Sequence, residues 1–375
     1  LAPAPASRPA AVGATADAFA HALSILAPRT GPIALAVSGG SDSTALLLLA
    51  HDWRGRTGRP LIAATVDHGL RPEAAAEAET VGSLCGQLGV AHTTLRWRPE
   101  AERVSQADAR IARHRLLASW ARAAGASALA LGHTSDDRIE TFLIRARAGS
   151  TWRGLAGPAP RGPSPAWPEG AGLSLIRPAL GCWRDGLRAE LVARGASWID
   201  DPSNSAERYE RVRMRGLAGC LTPATRGGIL RTMDRFATLR AAALAAAEEG
   251  LAVLVRPGAP AACALEADGF RRMGALPRLL LVEALVLAAG GAPGPLPSHS
   301  LARLHETMIR RGALERAITL AGARIEEKGD SFLFSQAPPR RGNPGQSWGF
   351  TMGLAPALAR AAGLLADPAL AAIGA

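Results

Sequence analysis

The chain has 375 residues and a hydrophobic share of 48%, enough for two domains or one large and one small around a real core. No run of about 18 apolar residues is free of charge, the nearest being 354–375, which Arg360, Asp367 and Pro368 interrupt, so no membrane partner is expected. The formal net charge is +11, carried almost wholly by arginine with Lys328 as the sole lysine, which points to a polyanion such as nucleic acid or else to a scattered, solubilising surface charge.

Residues 1–16, "LAPAPASRPAAVGATA", begin with Leu and lack a basic start and a compact apolar core. They read as a disordered lead-in, not a signal peptide, and leave the true start open. A helical stretch, "ADAFAHALSIL", follows. Then strands and helices alternate. Strands are expected at 33–37, 61–66, 92–97 and 128–132, and helices at 43–52, 73–88, 105–124 and 136–148. Strand then helix, four times over, predicts an α/β fold with a doubly wound parallel sheet. Ligands in such folds bind beyond the carboxyl ends of the strands.

Residues 149–172 are rich in Gly and Pro and read as a long loop. A short strand (173–177) and a helix (183–194) come next. From about residue 209 the pattern is helical, with 224–254 and 271–289 the longest pieces, and 312–335 alternates like a β-hairpin. The expected organisation is a catalytic domain over 17–216, a smaller, mainly helical domain over 217–335 ending in that hairpin, and a tail over 336–375 that is poorly ordered.

Cys85, Cys182, Cys220 and Cys263 lie far apart with no Cys-x-x-Cys pair, which argues against a zinc ribbon or an iron–sulfur cluster of the usual spacing. Each sits among apolar or small residues, so buried thiols and a reducing cytoplasm are expected.

The sharpest motif is "VSGGSDST" (37–44), set between the first strand and an apolar helix. Gly39 and Gly40 let the backbone turn tightly, so that N–H groups can face a phosphate. Ser38, Ser41 and Ser43 add hydroxyls, and the helix offers its positive end. Asp42 would repel a triphosphate unless a cation lies between, so it reads as a holder of Mg²⁺, or simply as a helix cap. The loop has no lysine, unlike a Walker-type loop. It resembles the PP-loop of the ATP pyrophosphatases, which implies cleavage of ATP between the α and β phosphates.

Further blocks follow in order. "VDHGLRPEAAAEAETV" (66–81) sets Asp67, His68, Leu70 and Arg71 at the mouth of the second strand. "ADARIARHRLL" (107–117) carries Arg110 and Arg113 one helical turn apart. "LGHTSDDRIETFLIRARAG" (131–149) puts His133 at the fourth strand's end and Asp136, Asp137 and Glu140 on one helical start. Three carboxylates there can hold Mg²⁺ or an ammonium group, or the aspartates favour the helix dipole. "GLAG" (154–157), "IRPAL" (176–180), "DDPSN" (200–204) and "RYERVRMR" (208–215) complete the series.

In this order and spacing the blocks resemble the tRNA(Ile)-lysidine synthases, closely over about residues 30–216 and loosely to about 335. The family's last block usually has Asn where Val212 stands, and the tail is too short for the larger C-terminal domain of long-form members. The resemblance implies a ligase that uses ATP and Mg²⁺. It adenylates C2 of the wobble cytidine in a tRNA(Ile) with a CAU anticodon, and free L-lysine then displaces AMP.

The implied roles are as follows. Residues 38–43 hold the departing pyrophosphate while Asp42, with Asp136, steers Mg²⁺. Arg113 stabilises negative charge, and Asp137 and Glu140 recognise the lysine amine or take its proton. His133 assists, or is structural. Arg208, Arg211, Arg213 and Arg215 contact tRNA phosphates, or form a solvated face. Trp152, Trp167, Trp183 and Trp198 serve packing, with one of them free to stack on an anticodon base. A homodimer is compatible with the chain. The alternatives are a tRNA cytidine thiolase, which typically carries the Cys-x-x-Cys pairs missing here, and an RNA-binding relative without catalysis.

Overall fold

Apolar strands cannot stay exposed on either face, and their burial sets the architecture. The computed structural model describes residues 13–69, 73–98, 105–166, 169–200, 210–257, 262–290, 296–310, 312, 314 and 316–338. It divides into two compact units between Asp234 and Arg235, inside the helix Pro223–Leu254.

In the first unit the order is α1 (Ala14–Leu26), β1 (Ile33–Ala36), α2 (Ser41–Thr57), β2 (Leu61–Asp67), α3 (Glu73–Gln87), β3 (Ala91–Arg96), α4 (Gln106–Ala123), β4 (Ala128–Ala130) and α5 (Ser135–Arg147). Then come α6 (Trp152–Leu155), β5 (Arg161–Pro163), β6 (Ser174–Ile176), α7 (Arg184–Ala193) and α8 (Glu210–Gly219). Strands run β3-β2-β1-β4-β6-β5 across one sheet. All neighbours are parallel except β5, which pairs antiparallel with β6 at the edge. The order reverses between β1 and β4, in register Ile33 to Ala128, which opens a crevice at their carboxyl ends.

Side chains alternate between the two faces. Ile33 and Leu35 pack with Phe19 and Leu23 of α1, Leu46 and Leu47 of α2, and Leu187 and Leu191 of α7. Ala34 and Leu129 point the other way, to Leu117, Ala118 and Ala121 of α4. Helices on both faces make the sheet doubly wound, as the sequence predicts. The expected lead-in overlaps α1 at residues 14–16, and the expected loop over 149–172 contains α6 and β5. Pro163 is tolerated in β5 because an edge strand needs no N–H on its outer side.

The second unit contains the C-terminal part of α9 (Pro223–Leu254), then β7 (Val255–Pro257), β8 (Ala262–Glu266), α10 (Ala267–Arg272), α11 (Ala275–Gly290), α12 (Ser298–Ile309), β9 (Ile318–Leu320), β10 (Ala323–Lys328) and β11 (Ser331–Gln336). An antiparallel sheet runs β7-β8-β11-β10-β9. The sheet is larger than the expected hairpin, because β7 and β8 are short and lie between helical patterns. The helix expected over 271–289 is two helices, broken where Met273 turns extended (ψ 158). Phe270 meets Phe332 edge to face at 5.8 Å, joining α10 to the sheet.

Among the described residues no helix is long and apolar enough to cross a membrane. Cys85, Cys182 and Cys263 are buried, but Cys220 is exposed on the turn after α8, contrary to the expectation of a buried thiol. The expected tail from residue 339 onward lies outside the described residues.

Candidate active site at the carboxyl ends of β1 and β4

The loop after β1 is held by its own serines. Ser43 Oγ accepts the Ser38 N–H at 3.1 Å and donates to the Gly40 carbonyl at 3.0 Å. Thr44 Oγ1 donates to the Gly39 carbonyl at 3.0 Å, and the Ile199 N–H donates to the same oxygen at 2.9 Å. Gly39 has φ +85°, a left-handed backbone that favours glycine, and a Cβ there would lie 2.6 Å from Ile199 Cδ1, so that side chain would have to shift. Ser43 is thus spent on shaping the loop. The backbone N–H groups at the start of α2 are what remain to face an anion.

The end of β4 touches this loop through backbone. A Cβ on Gly132 would stand 2.9 Å from the Asp42 carbonyl oxygen. Two residues on, Thr134 caps α5. Asp137 Oδ2 accepts from the Thr134 N–H (2.8 Å) and hydroxyl (2.9 Å), and Thr134 Oγ1 accepts the Asp137 N–H at 3.3 Å. This reciprocal cap holds Asp137 rigid and leaves Oδ1 free for a cation. Glu140, one turn along, is 1% exposed.

Three arginines converge on these acids. Arg184, the first residue of α7, donates Nε to Asp42 Oδ2 at 3.0 Å, Nη1 to Glu140 Oε1 at 3.3 Å and Nη2 to Asp137 Oδ1 at 3.3 Å. Its backbone N–H donates to Asp136 Oδ2 at 2.8 Å. From α8, Arg211 donates to Asp137 Oδ1 at 2.6 Å and to Glu140 Oε2 at 3.0 Å, and Arg215 donates to Glu140 Oε1 at 2.9 Å.

The charges shape one another. Burial raises the Asp42 carboxyl above its ordinary range, opposed by Arg184 and reinforced by Asp137. Burial also works against ionised Asp137, but Arg211 and Arg184, with the Thr134 N–H, outweigh it and hold that carboxyl below the usual range. His133 accepts from Arg177 Nε at Nδ1 (3.3 Å), which leaves its proton on Nε2. Burial, helped by Arg177, Arg211 and Arg110 against Asp137, pushes it down to about 3. The imidazole is therefore neutral.

Asp42, Asp136, Asp137, Glu140, Arg211 and Arg215 thus meet in one network, with His133 beside it. Arg113 on α4 lies near Arg211, and among the described residues no acid pairs with it. Burial first, then Arg211, lowers its pKa. Arg211 and Arg215, expected to contact tRNA phosphates or to form a solvated face, are paired with the carboxylates. Four residues apart, they share one face of α8 and turn to the carboxylates, while Arg213 is exposed on another face and Val212 lies between. Arg208, Leu70, Arg71, Trp167 and the block 201–204 lie outside the described residues.

Arg184 and Thr134 were not singled out by sequence reasoning. A signal for Arg184 existed: a cation in the first turn of a helix opposes the helix dipole, so something negative should lie nearby. Arg188, a turn further along α7, donates to Ser41 Oγ at 3.4 Å and sits 6.0 Å from the Trp198 ring centre.

No group of three His, Cys, Asp or Glu among the described residues could enclose a metal ion. Asp42 and Asp136 fit Mg²⁺ only as one or two carboxylates added to an ion held mainly by phosphate oxygens, which is how Mg²⁺ usually binds nucleotides.

The family described as PP-loop domain matches residues 16–218. A solved structure of the U34-tRNA thiolase NcsA from Methanococcus maripaludis, with its 4Fe-4S cluster, aligns with a TM-score of 0.50 at 16% identity, covering 59% of this chain and 77% of that one. At that identity the likeness concerns the fold alone. The chain is 43% identical to a tRNA(Ile)-lysidine synthase of Hyphomonas neptunium, over 84% of each chain. It is 39% identical to one of Methylobacterium nodulans, over 83% of this chain and 92% of that one. With such identity running far past the nucleotide loop and along most of both chains, this protein belongs to the tRNA(Ile)-lysidine synthase family.

Proposed function

We propose that this protein ligates L-lysine to C2 of the wobble cytidine in a tRNA(Ile) with a CAU anticodon, using ATP and releasing AMP and diphosphate. The product base, lysidine, changes the tRNA from methionine to isoleucine specificity. The observation that carries this reading is a buried carboxylate pair, Asp137 and Glu140, already occupied by cationic side chains and joined through Arg184 to the aspartate of the phosphate loop.

The chemistry is positioning and charge neutralisation. The cytidine O2 attacks the α-phosphate and the P–O bond to diphosphate breaks. Residues 38–43 and the start of α2 hold the departing group. When bound with the nucleotide, Mg²⁺ neutralises phosphate charge next to Asp42 and Asp136. Arg113, which no acid pairs with among the described residues, stabilises the negative charge that develops. The lysine amine then attacks C2, and the C2–O bond breaks as AMP leaves with that oxygen.

The ammonium of lysine takes the place held by the α8 guanidiniums. Arg211 and Arg215 are 41% and 37% exposed against 14% for Arg184, so they are the ones that can leave. Phosphates of the tRNA give them and Arg213 new partners, with Arg208 in the same block. Asp137, held below the usual carboxylate range, grips the ammonium together with Glu140, and this pair takes the proton the amine loses before attack. Neutral His133 offers its Nε2–H as a donor. The residues 217–335 contribute to tRNA binding, and the protein acts in the cytoplasm.

The test is incubation with ATP, radiolabelled lysine and an isoleucine tRNA transcript bearing CAU. Label in the tRNA is expected, and its absence would refute the reading. A thiolase is not favoured, since the chain has no Cys-x-x-Cys pair and burial pushes Cys85 and Cys182 up to about 11 and Cys263 to about 12.

A further inference from the structure

We propose that Arg184 is a positioning residue for the ligation, its guanidinium tying the carboxylate of the phosphate loop to the two that hold lysine and so fixing the ATP half of the site against the lysine half. The inference rests on the ligase reading and adds to it a residue that neither the loop nor the acidic block contains.

The contacts are divided in an uncommon way. Each of the three guanidinium nitrogens donates to a different carboxylate, Nε to Asp42, Nη1 to Glu140 and Nη2 to Asp137, while the backbone N–H holds Asp136. Asp42 belongs to α2 and the other three to α5. Arginine alone offers several donors in a rigid plane, and a lysine ammonium could not span the three.

Arg184 is also better anchored than Arg211 and Arg215, the other two arginines on these acids. Its side chain is 14% exposed. Leu187 and Leu191, three and seven residues on, are buried in the core and pin α7. The turn before it is clamped to α5, where the Ser135 N–H donates to the Cys182 carbonyl at 2.9 Å and Ser135 Oγ to the Leu180 carbonyl at 3.1 Å. Arg184 thus stays when the α8 arginines leave.

Both steps of the reaction occur at one carbon and its oxygen. The α-phosphate must reach the oxygen and the lysine amine must reach the carbon, so the two substrate sites need a fixed separation. Small misplacements in such sites cost rate steeply. Asp42 and Asp137 are like charges that raise each other's energy, and Arg184 is the group between them.

The experiment uses the full chain with the tRNA transcript. KM for ATP, KM for lysine and kcat are measured for wild type, Arg184→Lys, Arg184→Gln and Arg184→Ala, with the thermal midpoint of each. Arg184→Lys keeps the charge and is expected to stay folded with a midpoint close to wild type. Its KM values for ATP and for lysine should both rise about tenfold or more, because two substrate sites lose one shared tether. A purely structural arginine would lower the midpoint and leave both KM values of the folded protein unchanged, and that result would overturn the proposal. A rise in only one KM overturns it as well. Should Arg184→Ala not fold, the lysine and glutamine variants decide by the same two constants. Failure of wild-type protein to transfer lysine refutes the ligase reading itself, whereas active wild type with an indifferent Arg184→Lys refutes only the role of Arg184.

Discussion

Thr134 and Asp137 complete each other's hydrogen bonds at the start of α5, and in doing so they split one carboxylate into two jobs. Oδ2 of Asp137 is taken by the Thr134 N–H and hydroxyl, at 2.8 and 2.9 Å. Oδ1 is left to face Arg184 and Arg211. A helix cap and a cation site are thus built from the same side chain.

Asp137→Asn tests this division. The amide oxygen can still accept from Thr134, so the cap survives. The NH₂ then faces two guanidiniums and has nothing to offer a lysine ammonium. Hydrogen bonds to charged groups contribute about 1.5–3 kcal/mol, so KM for lysine should rise about ten- to a hundredfold. The unfolding free energy should change less than in Thr134→Ala, which removes the cap at a cost of about 1 kcal/mol. Denaturant unfolding together with lysine titration checks both, and a lysine KM unchanged in Asp137→Asn would remove Asp137 from the lysine site.

Arg211 is expected to trade a carboxylate for a phosphate. Arg211→Ala should therefore weaken tRNA binding at all salt concentrations and lessen the slope of log K against log salt by about one. The same variant, free of tRNA, should bind lysine more tightly than wild type, because no guanidinium competes for Asp137 Oδ1 and Glu140 Oε2. Filter binding across a salt series and calorimetry with lysine give the two readouts. Weaker lysine binding in the free variant would show that Arg211 supports the lysine site.

The parts legible in the sequence were those made by neighbours along the chain. Strand–helix alternation gave the first sheet, and Gly39, Asp42, Asp136, Asp137 and Glu140 stood out because each lies in a short block at a strand end. What stayed hidden depends on distant partners. Arg184 lies 142 residues from Asp42 and 47 from Asp137, and nothing local marks its threefold pairing. The inward turn of Arg211 and Arg215 was hidden too, since a basic run reads the same whether it faces solvent or acids. Short β7 and β8, bounded by helices, carry too few residues for period-two alternation to show.

Gly132 makes a prediction about the loop. A methyl group there would meet the carbonyl oxygen of Asp42 at 2.9 Å and the Ser43 nitrogen at 3.2 Å, both backbone atoms that cannot swing aside. Gly132→Ala should push the phosphate loop away from β4 and cost about 1–3 kcal/mol of stability by overpacking. KM for ATP should rise while tRNA affinity holds. Assays of AMP release and of tRNA binding on one preparation separate the two, and unaltered AMP release would mean that the loop tolerates displacement.

Buried histidines should govern the acid side of stability. His114 on α4 is 9% exposed, and its Nδ1 has no hydrogen-bond partner among the described residues. Burial first, then Arg110, Arg113 and Arg177, pushes it down to about 3. His133 is pushed to about 3 as well. The ordinary value is 6.5, so the folded pKa lies below the unfolded one. Between pH 6.5 and 3 the unfolded chain takes up protons that the folded chain refuses. Stability is therefore full above pH 6.5 and falls as pH drops through that window. Each such histidine contributes a slope of up to about 1.4 kcal/mol per pH unit. His114→Leu removes one of them and leaves no donor stranded, so its unfolding free energy should fall less steeply than wild type between pH 6 and 5. Urea titrations of both proteins at these two pH values measure the difference. Equal slopes would mean that His114 takes up its proton in the folded protein despite the three arginines beside it.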